Sequence, residues 1–286
     1  MRPVPPLSPV MTEPLIRAAL AEDLGQAGDL TSDAIVPPEL QATMTLTARQ
    51  AGVVAGLDLA TLAFRLIAPA SVIEIGHPDG SAVSPGDVIA TVNGPARGLL
   101  TGERTALNFL CRLSGIASAT AAMVEAVKGH KAEIVCTRKT TPGLRAVEKY
   151  AVRAGGGSNH RFGLNDAVLI KDNHIAVAGG IRSAVERARG GAGHMVKIEV
   201  EVDTLTQLDE ALALGVDAVL LDNMSLDQLA KAVTRVNGRA ITEASGRVTP
   251  ETAPAIAATG VDLISAGWLT HSAPTLDIGL DFAAVR

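Results

Sequence analysis

Six short apolar runs, AEIVC, DAVLI, VKIEV, DAVLL, RAIT and VDLIS, start near residues 132, 166, 196, 217, 239 and 261 of a 286-residue chain. Ala/Leu-rich, helix-like segments fill most of the gaps between them. Strands that alternate with helices at spacings of roughly 20 to 35 residues predict βα units in a parallel sheet, because strands covered by helices on both faces read as continuous apolar runs. Six such strands, or seven if the LDIGL segment joins them, fall short of an eight-fold barrel. An open, incomplete α/β barrel is therefore expected over residues 113–286, rather than a doubly wound sheet, since no glycine-rich phosphate fingerprint follows the first strand.

The first part of the chain is compositionally separate: arginines occur throughout, but no lysine precedes Lys128. Residues 1–11 are Pro-rich and expected to be flexible, with Met11 an alternative start. Residues 12–112 are expected to form an N-terminal α/β domain. It would hold a helix from Pro14 to Leu24 and short antiparallel strands such as MTLTARQAGVVAGL, punctuated by turns at Pro78-Asp79-Gly80 and Pro85-Gly86-Asp87. VSPGDVIATV resembles biotinyl and lipoyl carrier modules, but those require an acceptor lysine that this region lacks. From Gly102 to Val127, the apolar positions Leu107, Leu110, Leu113, Met123 and Val127 predict a helix broken near Gly115, at the join of the two domains. The last ten or so residues are expected to pack back on the N-terminal domain.

Composition removes several function classes. With 47% hydrophobic and 19% charged residues and a mean hydropathy of +0.27, the chain has the means to fold. Aromatics at 2% and a formal net charge of −5 argue against a nucleic-acid partner, which needs stacking platforms and a basic surface. Two cysteines, Cys111 and Cys136, supply neither a disulfide framework nor a four-ligand zinc site. With no apolar run of signal-peptide length and no stretch near the ~20 apolar residues of a membrane span, a cytoplasmic protein without a membrane partner is expected.

Polar residues collect after the apolar runs: Thr137-Arg138-Lys139, Lys171-Asp172-Asn173-His174, Asp222-Asn223, Glu243 with Ser245-Gly246, and Ala266-Gly267. Any one of these is an ordinary polar loop. Five in succession predict one shared site at the C-terminal strand ends, where parallel α/β proteins bind ligands. The stretch from Arg138 to Asp172 carries a net +4 against −9 for the rest of the chain, which suits an anionic ligand in a single cleft. Within it, Arg145, Lys149 and Arg153 have the spacing of a solvated helical face, whereas Lys139 and Lys171 stand at strand ends. His160-Arg161 follow the glycines of GGGSNHR, and an arginine fork matches carboxylate or phosphate oxygens.

In Lys197-Ile-Glu199-Val-Glu201-Val-Asp203 charge alternates with apolar residues, so one strand face is all charge. In a central strand these carboxylates would meet Lys139, Lys171 or a metal; an edge strand with one wet face is the alternative. Glu201 and Asp222 are hard oxygen ligands of the kind Mg²⁺ takes. Glu243-Ala-Ser245-Gly246-Arg247 and Ser265-Ala266-Gly267-Trp268-Leu-Thr-His271-Ser272 each place small residues between a strand and a helix, where backbone N–H groups can cradle a phosphate. Cys136, beside Arg138 and Lys139, is read as a small buried residue, with a nucleophile as the alternative.

NFLCRLSGIAS, CTRKTTPGLRAVEKYAVRAGGGSNHRFGLNDAVLIKDNH, IEVEVD, LLDNM, EASG and GVDLISAGWLTHS together resemble the quinolinate phosphoribosyltransferase family, from about Gly25 to Phe282. The resemblance implies an N-terminal α/β sandwich domain followed by an open α/β barrel with phosphate-binding loops. It also implies conversion of quinolinate and phosphoribosyl pyrophosphate, with Mg²⁺, into nicotinate mononucleotide, pyrophosphate and CO₂ in NAD biosynthesis. On the same basis Arg104 enters the other subunit's site in a homodimer, and Arg138, His160 and Arg161 hold the quinolinate carboxylates. Lys139 and Lys171 lie between substrate and pyrophosphate, Glu201 and Asp222 near ribose and metal, and Ser245-Gly246 with Ala266-Gly267 near the 5′-phosphate. Thr137, Arg247, Trp268 and His271 complete the expected substrate contacts. Many family members carry an acid at the place of Cys136 and a second glycine at that of Arg247. Two rival readings stand beside this one: a related phosphoribosyltransferase for another acid, and a non-catalytic anion-binding protein on the same scaffold.

Overall fold

The structure, a computed structural model, describes residues 4–285. They form two compact units. One holds the residues up to Ala121, Thr141–Gly156 and the segment from Ser272 onward; the other holds Ala122–Thr140 and Gly157–His271. The chain thus crosses at residues 121/122, 140/141, 156/157 and 271/272, where the sequence predicts one division near residue 112.

The chain opens with α1 (Pro9–Leu24), α2 (Leu30–Ile35), β1 (Gln41–Ala48), β2 (Gly52–Val53), α3 (Leu57–Ile67), β3 (Val72–Ile75), β4 (Ala82–Val83), β5 (Val88–Pro95) and α4 (Ala96–Ala126). It continues through β6 (Glu133–Val135), α5 (Arg145–Ala154), β7 (Val168–Ile170), α6 (Asp172–Ala178), α7 (Ile181–Gly191), β8 (Ile198–Val202) and α8 (Leu205–Ala213). Last come β9 (Ala218–Asp222), α9 (Leu226–Val236), β10 (Ile241–Ser245), α10 (Ala253–Ala258), β11 (Leu263–Ser265), α11 (Trp268–His271) and β12 (Ile278–Val285).

The first unit is built on an antiparallel sheet in the order β12-β1-β5-β3. Along β1 the alternate residues Ala42, Met44 and Leu46 are buried, and Leu46 lies opposite Ala90 on one side and Leu280 on the other. The turn at Pro78-Asp79-Gly80 also starts a helix elsewhere in the chain. Its Asp79 carboxylate accepts the N–H groups of Gly56 at 2.9 Å and Leu57 at 3.1 Å, capping α3 from outside the helix. Tyr150 donates to the same carboxylate, at 2.7 Å.

Three local expectations change. Helix α1 begins at Pro9, not Pro14, so the flexible segment expected over residues 1–11 does not include residues 9–11; residues 1–3 lie outside the described residues. Pro9 fits the first helical turn, where its missing N–H has no partner to lose. Pro14 is tolerated inside the helix because the turn before it is exposed, Val10 being 83% accessible, so water can satisfy the unpaired carbonyl.

Helix α4 runs unbroken through Gly115. A β-carbon there would sit 2.0 Å from the Pro274 carbonyl oxygen, so this glycine permits a close backbone approach rather than a break. By length and composition α4 is also apolar enough to cross a membrane. Its apolar residues Leu99, Leu110, Leu113 and Ile116 are fully buried in the core. The third change is the LDIGL segment, which adds no barrel strand; as β12 it pairs antiparallel with β1.

In the second unit all six apolar runs read from the sequence are strands of one parallel sheet, ordered β6-β11-β10-β9-β8-β7, with β6 and β7 as its edges. Val200 and Val202 on β8, and Val219 and Leu221 on β9, are fully buried on the strand face opposite the one that carries Glu201 and Asp222. Capping boxes set the starts of α8 (Thr204 with Gln207) and α9 (Ser225 with Gln228), fixing where each strand-end loop stops. Strand β8 lies between β7 and β9, which removes the edge-strand reading of its acidic face.

Candidate active site

Alternate residues of a strand point to the same side. Leu169 and Lys171, Leu220 and Asp222, Glu243 and Ser245 therefore project with Glu201 into one space, a cavity of about 720 Å³ at the C-terminal strand ends. Every residue expected in the site lines it except Arg104: Thr137, Arg138 and Lys139 after β6, His160 and Arg161 after α5, Lys171 after β7, Glu201 on β8 and Asp222 on β9. Ser245, Gly246 and Arg247 close it beyond β10, and Ala266, Gly267, Trp268 and His271 beyond β11. Arg104 stands exposed on α4.

Local bonds shape these loops. Ser158 N–H donates to Ile134 O at 2.8 Å and Cys136 N–H to Ser158 O at 3.2 Å, so the chain after the glycine run lies beside β6 and delivers His160 and Arg161 to the cavity. Trp268 donates its indole N–H to Val248 O at 2.9 Å, tying the two cradle segments together. Gly246 has φ +115°, and a β-carbon there would meet Asn223 Oδ1 at 2.3 Å; no other residue fits. Arg247 also takes a left-handed conformation, φ 44°, uncommon for a residue with a side chain. Cys136 is fully buried and its thiol donates to Asn159 Oδ1 at 3.2 Å, a packing position rather than an exposed nucleophile.

The cavity holds both cations and carboxylates. Lys171 Nζ donates to Glu201 Oε2 at 2.8 Å. Arg138 and Arg161 each bury an Nε that has no hydrogen-bond partner, an unmet donor that an anion would satisfy. Burial first, then the Arg138 charge, pull the Arg161 guanidinium below its usual value, with Asp166 and Glu199 opposing. Two guanidinium groups with buried, unmet Nε donors in one cavity favour a ligand carrying more than one negative charge.

The grouping of Glu199, His160 and Glu243 as a unit is not legible in the sequence. His160 Nε2 lies 2.9 Å from Glu199 Oε2 and 3.5 Å from Glu243 Oε2, and its Nδ1 accepts the Arg161 N–H at 2.7 Å. Glu199 comes from β8 and Glu243 from β10, two strands apart, and only the sheet order brings them to one ring. The alternating charges of β8 are the available signal for Glu199; nothing in the sequence points His160 at either carboxylate.

Burial, and second the Glu199 charge, push the Glu243 carboxyl from its ordinary 4.5 up to about 7, with His160 and a hydrogen bond from Ser265 opposing. A folded-state value above the unfolded one means that the folded chain holds an extra proton between the two. This group therefore favours folding at low pH, and its contribution is lost as pH rises from about 4.5 to about 7. The melting temperature is expected to fall across that window with a slope that Glu243→Gln flattens. Thermal melts of both chains at pH 5 and pH 7 check this, and equal slopes would refute it.

Comparison with known proteins agrees with this geometry. Residues 29–114 match the profile of the quinolinate phosphoribosyl transferase N-terminal domain, and residues 116–281 that of its C-terminal domain. A probable nicotinate-nucleotide pyrophosphorylase (carboxylating) of Bacillus subtilis (strain 168) is 47% identical over 268 residues, 93% of this chain and 92% of its own length. The nicotinate-nucleotide pyrophosphorylase (carboxylating) of Mycobacterium leprae (strain TN) is 47% identical over 271 residues, 93% of this chain and 95% of its own. The crystal structure of NadC from Streptococcus pyogenes superposes with a TM-score of 0.93 at 43% identity, over 98% of this chain and 100% of that one. With both domain profiles matched and relatives this similar across nearly their whole length, the chain belongs to the quinolinate phosphoribosyl transferase family.

Proposed function

We propose that the chain transfers the phosphoribosyl group of phosphoribosyl pyrophosphate to quinolinate and releases CO₂, giving nicotinate mononucleotide and pyrophosphate for NAD biosynthesis. The observation that carries this reading is the pair of buried, unpartnered guanidinium nitrogens of Arg138 and Arg161, in the cavity that also holds Lys139, Lys171, Glu201 and Asp222. Quinolinate offers two adjacent carboxylates to that pair. Because the chain has few aromatics, its ring is held by these charged contacts more than by stacking.

Pyrophosphate leaves the anomeric carbon through an oxocarbenium-like state, and the pyridine nitrogen attacks. Lys139 and Lys171 stabilise charge on the departing pyrophosphate, while Glu201 and Asp222 stabilise positive charge on the ribose ring, an electrostatic contribution made by groups already in position. Ser245-Gly246 and Ala266-Gly267 receive the 5′-phosphate, with Arg247 adding a guanidinium at the rim.

Glu201 and Asp222 also fit Mg²⁺, directly or through water and ribose hydroxyls: both are carboxylates facing the cavity, and Mg²⁺ takes one or two such ligands and completes its shell with water and substrate phosphate. When bound, the ion would neutralise charge on the pyrophosphate. Exposed Arg104 on α4 is read as entering the cavity of a second copy in a homodimer. Cys111 and Cys136 are thiols rather than a disulfide, which suits a reducing, cytoplasmic setting.

The test is an assay with quinolinate or nicotinate, phosphoribosyl pyrophosphate and Mg²⁺, scoring CO₂ and pyrophosphate separately. Equal amounts of both products with quinolinate are expected. Pyrophosphate formed only with nicotinate would defeat the reading.

A further inference from the structure

Release of CO₂ from the ribosylated ring leaves an electron pair on a ring carbon, and that carbon must gain a proton before the product forms. A group that supplies it has to reach the cavity and hold a proton at working pH. Glu243 lines the cavity yet is only 2% exposed.

The groups around it are set by the fold. His160 Nδ1 accepts the Arg161 N–H at 2.7 Å. His160 Nε2 faces Glu199 Oε2 at 2.9 Å and Glu243 Oε2 at 3.5 Å. Were Glu243 and Glu199 both ionised, two carboxylates with side chains 2% and 12% exposed would crowd one imidazole, a charge burial that is relieved when one acid is neutral. The groups facing Glu243 are Glu199 from β8, His160 from the segment between α5 and β7, and Ser265 from β11.

We propose that Glu243 is the acid of the decarboxylation step. The C–CO₂ bond breaks, CO₂ leaves, and the electron pair remaining on the ring carbon takes the proton of the Glu243 carboxylic acid to form a C–H bond. The resulting carboxylate recovers its proton from water. Glu199 and His160 are positioning residues: Glu199 faces the site from β8, and His160 stands within reach of both carboxylates. This assignment rests on the function proposed above.

The test follows quinolinate labelled in the carboxyl that departs, with phosphoribosyl pyrophosphate and Mg²⁺, reading labelled CO₂ and pyrophosphate in the same reaction for the parent chain, Glu243→Gln and Glu243→Asp. In Glu243→Gln, CO₂ per pyrophosphate is expected to drop by about 10-fold or more, with the ribosylated dicarboxylate accumulating, and Glu243→Asp to recover part of the loss. A ratio unchanged in Glu243→Gln, whether both products are normal or both fall in parallel, overturns the proposal. Should the variants not fold, the parent chain serves: its single-turnover CO₂ release, relative to pyrophosphate release, is expected to decline above pH 7, and a constant ratio overturns the proposal. A parent chain that makes no pyrophosphate from quinolinate defeats the functional reading instead.

Discussion

With both substrates saturating, Lys139→Ala is expected to turn over about 10²- to 10³-fold more slowly than the parent chain, the cost of removing one preorganised stabiliser of transition-state charge. The backbone at this residue is fixed independently of its side chain. Its N–H donates to Thr137 Oγ1 at 3.0 Å, and its carbonyl accepts from Thr270 Oγ1 at 2.7 Å. Truncation therefore removes the ammonium and leaves the loop in place. Initial rates over a range of both substrates check this. A rise in KM with kcat unchanged would mean that Lys139 binds ground state and transition state alike, and its role in leaving-group departure would be abandoned.

Glu148→Ala is expected to cost about 3–5 kcal/mol of stability, the loss usual when one partner of a buried charge pair is removed. The Glu148 carboxylate has no exposed surface, yet it accepts three hydrogen bonds: Thr141 N–H at 2.9 Å, Thr141 Oγ1 at 2.8 Å and Arg112 Nη2 at 2.8 Å. It also sits in the first turn of α5, where the helix dipole favours negative charge. A drop in melting temperature on the order of 10 °C should follow. Glu148→Gln, which keeps the shape and one acceptor oxygen, should lose less. Equal melting temperatures for the parent and the alanine variant would show that the three bonds are made at no net gain.

Glu148 and Glu243 show why the basic island is only partly legible in the sequence. Counting charges between Arg138 and Asp172 locates the cavity, but it treats Glu148 as one acid among seven cations and groups Lys149 with a solvated face. Both are buried, Glu148 at 0% and Lys149 at 2%. The helical spacing of Arg145, Lys149 and Arg153 is the same whether the face meets water or another helix, so periodicity alone cannot assign it. Lys139 and Lys171 are found because they follow strands, and a strand end in a parallel sheet has a fixed address.

Six parallel strands, the antiparallel unit before them and most of the polar residues that line the cavity can be read from the order of amino acids alone. Each is written within a few neighbouring positions, as an apolar run, a turn or a polar residue directly after a strand. Other features come into being only when the chain is folded: LDIGL returns to β1, Gly115 admits the backbone of Pro274 instead of breaking α4, and Glu199 and Glu243 share one ring nitrogen of His160. Those outcomes depend on segments distant in sequence meeting in space. A residue's burial, partner and proton are properties of that meeting, not of its neighbours along the chain.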